Sequence, residues 1–166
     1  AVFPKRFNEL LLLHESKGTA LSHVSLNLAS QVIGSLDSGP IAVVCDKHGG
    51  RNRYGRLLEE YFPDWRIECC EEGRDRSEYA FGPAERRIRT CFRTRAEACL
   101  PVALASMVSK YLRELAMRAL NAFWRRRVPG LKPTAGYPVD AVRFRRDIAE
   151  TQAALGIDDN VLWRNR

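Results

Sequence analysis

The residues best placed for chemistry in this chain are carboxylates and cations at the borders of apolar segments. Asp46 closes the run Ile41-Ala-Val-Val-Cys45, and a carboxylate at the carboxyl end of a buried strand lies where open α/β sheets bind ligands. Lys47-His48-Gly49-Gly50-Arg51 follows directly. Paired glycines let a backbone approach a phosphate closely and Lys47 and Arg51 supply charge, although the same glycines suit a plain turn after a strand. His48 reads as a turn residue, because no second His or Cys stands at ligand spacing around it. Further along, Ser106, Ser109, Lys110, Arg113 and Glu114 interrupt an apolar neighbourhood, and Lys110 with Glu114 also fits a surface i,i+4 pair. If this polar face turned toward the strand end of Asp46, carboxylates from two elements would meet, as a magnesium site requires.

These residues need elements to hold them. Leu21, Val24, Leu28, Val32 and Leu36 recur at steps of three or four and predict an amphipathic helix over 19–36, stopped by Asp37-Ser-Gly-Pro40. The continuous apolar run 41–45 predicts a strand buried on both faces, central in its sheet. A helix from about Arg53 to Tyr61 is expected next, then strands over 65–70 and 86–93 with a charged turn over 71–76. The longest predicted helix covers 100–126, with Pro101 in its first turn and Leu104, Val108, Tyr111, Leu115, Leu120 and Phe123 as its core stripe. It is expected to pack across the 41–45 strand. Pro129-Gly130 ends it, Gly136-Tyr137-Pro138 follows, and a last helix is expected over 139–155. Helices against a mixed sheet make an α/β architecture in one domain spanning 1–166.

Composition narrows the function. The chain has 166 residues, 45% of them hydrophobic, enough for one sizeable core, and no apolar run long enough to span a bilayer. No membrane partner is expected. The start at Ala1, without Met or a secretory-type leader, reads as an excised or processed beginning, and the expected location is cytoplasmic. Five cysteines without a C-x-x-C pair predict reduced, mostly core thiols rather than a disulfide framework or a zinc site. Charge is segregated: residues 1–83 hold 10 Lys/Arg against 12 Asp/Glu, whereas residues 84–166 hold 17 against 8. The arginine-rich half, from Arg86 to Arg146, has the guanidinium forks that match phosphate oxygens and predicts binding to a nucleic-acid backbone. A solvated basic face, or an Arg-rich domain that docks an acidic protein, would leave the same composition, and nothing in the sequence signals an oligomeric state.

At this point two segments resemble a known family. Ala105-Ser-Met-Val-Ser-Lys-Tyr-Leu-Arg-Glu114 is similar to the Ala-Ser-Ile-x-Ala-Lys-Val-x-Arg-Asp helix of ribonuclease HII, and Gly136-Tyr137-Pro138 is similar to its downstream Gly-Tyr-Pro-Thr element. The matches fall within residues 19–157 in the family's order. The resemblance implies a ribonuclease H fold and metal-dependent cleavage, with Mg²⁺ or Mn²⁺, of the RNA strand in RNA/DNA hybrids or at embedded ribonucleotides. By matched position, Asp46 and Glu114 would be the catalytic, metal-binding carboxylates, Lys110 and Arg113 basic contacts, and Tyr137 the ring against the sugar at the scissile junction. Lys47, Gly49, Gly50 and Arg51 join them as candidate nucleic-acid contacts.

Three features depart from the family. Its opening Asp-Glu-x-Gly-Arg-Gly strand has no counterpart here, the last carboxylate is Glu rather than Asp, and Asp46 and Glu114 lie 68 positions apart around an expected insertion of a helix and hairpin over 53–95. The absent strand predicts either a part of a longer protein or a divergent member. The expected alternative to a nuclease is an inactive nucleic-acid-binding module of the same fold.

Overall fold

The computed structural model describes residues 1–14, 16–37 and 39–165. The elements in chain order are α1 (Pro4–His14), α2 (Lys17–Gly34), β1 (Ile41–Asp46), α3 (Gly55–Tyr61), β2 (Glu68–Glu72), β3 (Arg76–Phe81), β4 (Ile88–Arg93), α4 (Leu100–Arg125), α5 (Pro138–Ala154) and α6 (Asp159–Leu162). This is an α/β fold with one four-stranded mixed sheet. The chain divides into two compact units, Leu10–Leu104 and Ala1–Glu9 with Ala105–Arg166.

The first unit holds the sheet, in the order β1-β4-β3-β2. β1 runs parallel to β4, while β4 with β3 and β3 with β2 are antiparallel. One face is buried by alternation: Ile41, Val43 and Cys45 of β1, Ile88 and Phe92 of β4, and Tyr79 and Phe81 of β3 pack with Leu26 and Ile33 of α2 and Leu57 and Leu58 of α3. Tyr54 lies flat on Phe92, ring centroids 3.7 Å apart.

The packing departs from the expected pattern at several points. β1 is an edge strand, not a central one; β4 takes the inner place, because β3 pairs on its far side. A continuous apolar run did not need two buried faces, since the residues of β1 off the core are the small Ala42 and the half-buried Val44. The segment 65–93 holds three strands where two were expected. In β3, Ser77, Tyr79 and Phe81 point inward, while Arg76 and Glu78 pair with each other outside. The stripe assigned to α2 is its wet face: Leu21, Leu28, Val32 and Leu36 are exposed, whereas Ala20, Ser22, Leu26 and Ile33 are buried. Of the five thiols, Cys45 packs at the margin of the core and Cys91 and Cys99 are half-buried, while Cys69 and Cys70 are exposed because every residue of the edge strand β2 is.

The second unit is helical. Trp124, Leu131, Phe144 and Ile148 form its buried cluster, with Leu120 and Phe123 of α4 at the margin. The rest of the stripe expected on α4, Leu104, Val108, Tyr111 and Leu115, is exposed. Asn8 of α1 ties the N-terminal residues to the C-terminal tail, donating to the Trp163 carbonyl at 2.8 Å and accepting from the Asn165 amide at 2.7 Å. No helix among the described residues is long and apolar enough to cross a membrane.

Candidate functional site

Because β1 and β4 are parallel and in register, Asp46 opposite Arg93, their carboxyl ends lie side by side. The Asp46 side chain is bound there through one oxygen: Oδ1 accepts the Ala96 amide at 2.9 Å. The Lys47 amide continues the ladder to the Arg93 carbonyl at 3.2 Å. The Lys47 side chain turns into the unit, where Nζ donates to the Gly73 carbonyl at 2.6 Å, Asn52 Oδ1 at 2.9 Å and Ser77 Oγ at 3.0 Å. These acceptors are neutral, as is the Arg51 carbonyl at 3.5 Å, so the ammonium clamps the β2–β3 turn to the end of β1 and has no carboxylate partner among the described residues.

Gly49 and Gly50 face open space, with nothing within 4 Å of where a Cβ would stand, and Gly49 has a positive φ of 63°. His48 anchors this turn instead of lying on it. It is buried, its amide donates to the Tyr54 hydroxyl at 3.0 Å, and Nδ1 lies 3.0 Å from Ser22 Oγ. Ser22 gives its own hydroxyl proton to the Gly18 carbonyl at 2.9 Å, so Nδ1 of His48 is the donor. Burial, and secondarily the Arg51 charge, hold the His48 pKa below the usual imidazole value, which keeps the ring neutral. Tyr54 is fixed in turn: its amide donates to the Tyr79 hydroxyl at 2.8 Å, which donates to Glu72 at 2.5 Å. Burial and the Glu72 bond push the Tyr79 pKa up. Arg51 reaches Thr19 Oγ1 at 2.9 Å.

Two hollows open on either side of the glycine turn. One, of about 660 Å³, is lined by Gly18 and Thr19 at the start of α2 with His48, Arg51 and Arg53. The other, of about 970 Å³, is lined by Lys47, Arg74, Asp75, Arg93, Thr94 and Arg95 among others. Of these arginines only Arg93 and Arg95 belonged to the expected basic cluster. Arg74 lies in the segment read as a charged turn.

The remaining candidates belong to the helical unit, and three of them meet. Arg113 donates to Glu114 at 2.7 Å and to the Ala135 carbonyl at 2.6 Å, and its guanidinium lies 5.8 Å from the centre of the Tyr137 ring. Glu114 therefore pairs with Arg113, not with Lys110, which is exposed. The Tyr137 ring is 65% exposed at the start of α5, which rules out a ring packed on the core. A two-way link supports this segment: the Asn121 side chain donates to the Thr134 carbonyl and accepts the Thr134 amide, both at 2.8 Å. Asp140 accepts from Thr134 at 2.5 Å and from Arg143 at 2.6 Å.

A divalent metal needs several oxygen ligands. Asp46 and Glu114 lie in different units, Glu114 is engaged by Arg113, and among the described residues no three His, Cys, Asp or Glu side chains group to hold a metal. No protein-family model, no curated protein and no solved structure matches the chain.

Proposed function

We propose that this chain acts on RNA/DNA hybrids as a ribonuclease HII-like endonuclease of ribonuclease H fold, with Asp46 and Glu114 as its catalytic carboxylates and Mg²⁺ or Mn²⁺ as the expected cofactor. The observation that carries this reading is the meeting of its two motif segments. Arg113 of the Ala105–Glu114 helix bonds the backbone beside Gly136 and lies near the exposed Tyr137 ring, so a helix and a turn far apart in sequence present one face. An exposed aromatic ring beside a guanidinium suits a sugar and its flanking phosphate. The second element of support is Asp46 at the carboxyl end of a parallel strand.

The test is cleavage of an end-labelled RNA/DNA hybrid with and without Mn²⁺. Slow, metal-dependent cutting of the RNA strand is expected, abolished by Glu114→Gln and by Asp46→Asn. Asparagine still accepts the Ala96 amide, so this variant removes the charge without the anchor. Cutting that survives both substitutions overturns the reading. A second reading, a hybrid-binding module without cleavage, is favoured by the missing three-donor group among the described residues; binding without metal-dependent turnover would select it.

A further inference from the structure

We infer that the hollow between the ends of β1 and β4 and the β2–β3 turn is a phosphate seat, in which Arg74, Arg93 and Arg95 grip the backbone of a nucleic-acid strand. This rests on the nucleic-acid reading above and adds a place for the backbone that the motif segments do not provide.

Charge is the first reason. Lys47, Arg74, Arg93 and Arg95 line the hollow against one carboxylate, Asp75. Among the described residues, none of the three arginines forms an ion pair or a side-chain hydrogen bond. Other arginines of the sheet do: Arg76, opposite Arg93, pairs with Glu71 and Glu78, and at the far end of β4 Arg87 pairs with Glu68 and Arg89 reaches Glu78. The sheet thus neutralises arginines elsewhere along its strands and leaves those that line the hollow open. Concentrated, uncompensated guanidinium forks match the paired oxygens of a phosphodiester.

Backbone conformation is the second reason, independent of charge. Arg95 is left-handed, φ 54° and ψ 43°, and is the one non-glycine residue with positive φ among the described residues. Glycine or asparagine would take this conformation with less steric conflict. A long cation held there against its preference marks a position where the side chain matters more than backbone ease.

The walls are also fixed in advance. Asp46 holds the Ala96 amide just after Arg95, the Thr94 amide donates to the Asp75 carbonyl at 2.9 Å, and Lys47 clamps Gly73. Three bonds therefore set the strand end, the hairpin turn and the Arg95 turn in place before any ligand arrives, which lowers the ordering cost of binding.

The experiment follows binding of a labelled RNA/DNA hybrid by the full chain across a salt series. Replacing Arg74, Arg93 and Arg95 together with Gln should lower the slope of log affinity against log salt by about 3, close to one unit per phosphate neutralised. An equal-charge control, Lys5→Gln with Arg6→Gln and Arg56→Gln, should leave the slope near that of the unaltered chain. Arg95→Gly guards against misfolding, since its backbone favours glycine; it should fold normally and lower the slope by about 1. Unchanged slopes in the triple and Arg95→Gly variants would overturn the seat while leaving hybrid binding intact, and so would an equal loss in the control. Displacement of the hybrid by polyglutamate as readily as by polyphosphate would overturn it in favour of an acidic protein. Failure of the unaltered chain to bind hybrid at low salt would overturn the nucleic-acid reading and the seat together, a result distinct from the others.

Discussion

Arg143 and the three arginines at the strand ends carry the same side chain in the same basic chain, yet the fold treats them in opposite ways. Arg143 uses all five of its N–H donors: Nε and Nη2 to Asp140, Nη1 to Asp147, and Nη1 and Nη2 to the carbonyls of Lys132 and Pro133. It ties the α4–α5 connection to the first turns of α5. Arg74, Arg93 and Arg95 have no such partners among the described residues and face an open hollow. A count of basic residues sees no difference between the two groups. Availability for a ligand is set by the local supply of carboxylates and carbonyls, abundant around Arg143 and reduced to Asp75 among the residues that line the hollow.

The contrast can be broken from the engaged side first. Trp124→Ala empties the cluster on which the Arg143 segment rests and should cost about 3–5 kcal/mol, read from the urea midpoint. A cost below that of a surface substitution would mean that the helical unit does not depend on this core. Arg143→Ala should destabilise less than that but clearly more than any single substitution in the hollow, because it removes the cation that Asp140 and Asp147 share and the bonds to the Lys132 and Pro133 carbonyls.

A pH series sharpens the same side. Hydrogen bonds from Thr134 and then Arg143 hold the Asp140 carboxyl below the usual carboxylate range. A group with its folded pKa depressed stabilises fully above its unfolded value, about 3.9, and that contribution is lost as pH falls through the folded pKa. Melting temperature should therefore fall as pH drops below about 4, and Asp140→Asn should flatten that fall while lowering stability at neutral pH. An identical acid profile in the variant would show that Asp140 is not the group responsible. The smallest effect is expected on the open side: Arg74→Gln or Arg93→Gln should change stability by about 0.5 kcal/mol or less in the same urea titration, since neither side chain holds the fold together. A larger loss would move these residues to the engaged class.

How much of this was legible in the sequence depended on the range of the contacts involved. The α4 boundaries and the β1 run followed from local periodicity and appear within a residue or so of expectation. Which face each helix buries did not follow, because α2 and α4 carry apolar residues all round and only tertiary packing selects Leu26 and Ile33 over Leu28 and Val32. β3 had a readable signal in the alternation of Ser77, Tyr79 and Phe81, hidden between charges that satisfy each other across the strand. Among site residues, Lys47, Gly49 and Gly50 line the expected strand end, and Arg113, Glu114 and Tyr137 come together. The commitment of Lys47 to Gly73 and Ser77 was invisible, as was the company of Arg74 with Arg93 and Arg95. Both depend on the register of β3 against β4, which places the hairpin turn beside the end of β4.

The bonds from His48 to Tyr54, from Tyr54 to Tyr79 and from Tyr79 to Glu72 have a consequence in time rather than in space. Amides in a glycine-containing turn ordinarily exchange their hydrogens with solvent quickly. Here the amides of His48 and Tyr54 end on phenolic oxygens that are themselves locked into the sheet, so neither can open without displacing a ring from the core. Their protection should therefore track that of the β3 and β4 amides, while Gly49 and Gly50 exchange freely between them. A turn of this kind opens together with the sheet as one cooperative unit, leaving two mobile glycines on an otherwise immobile rim.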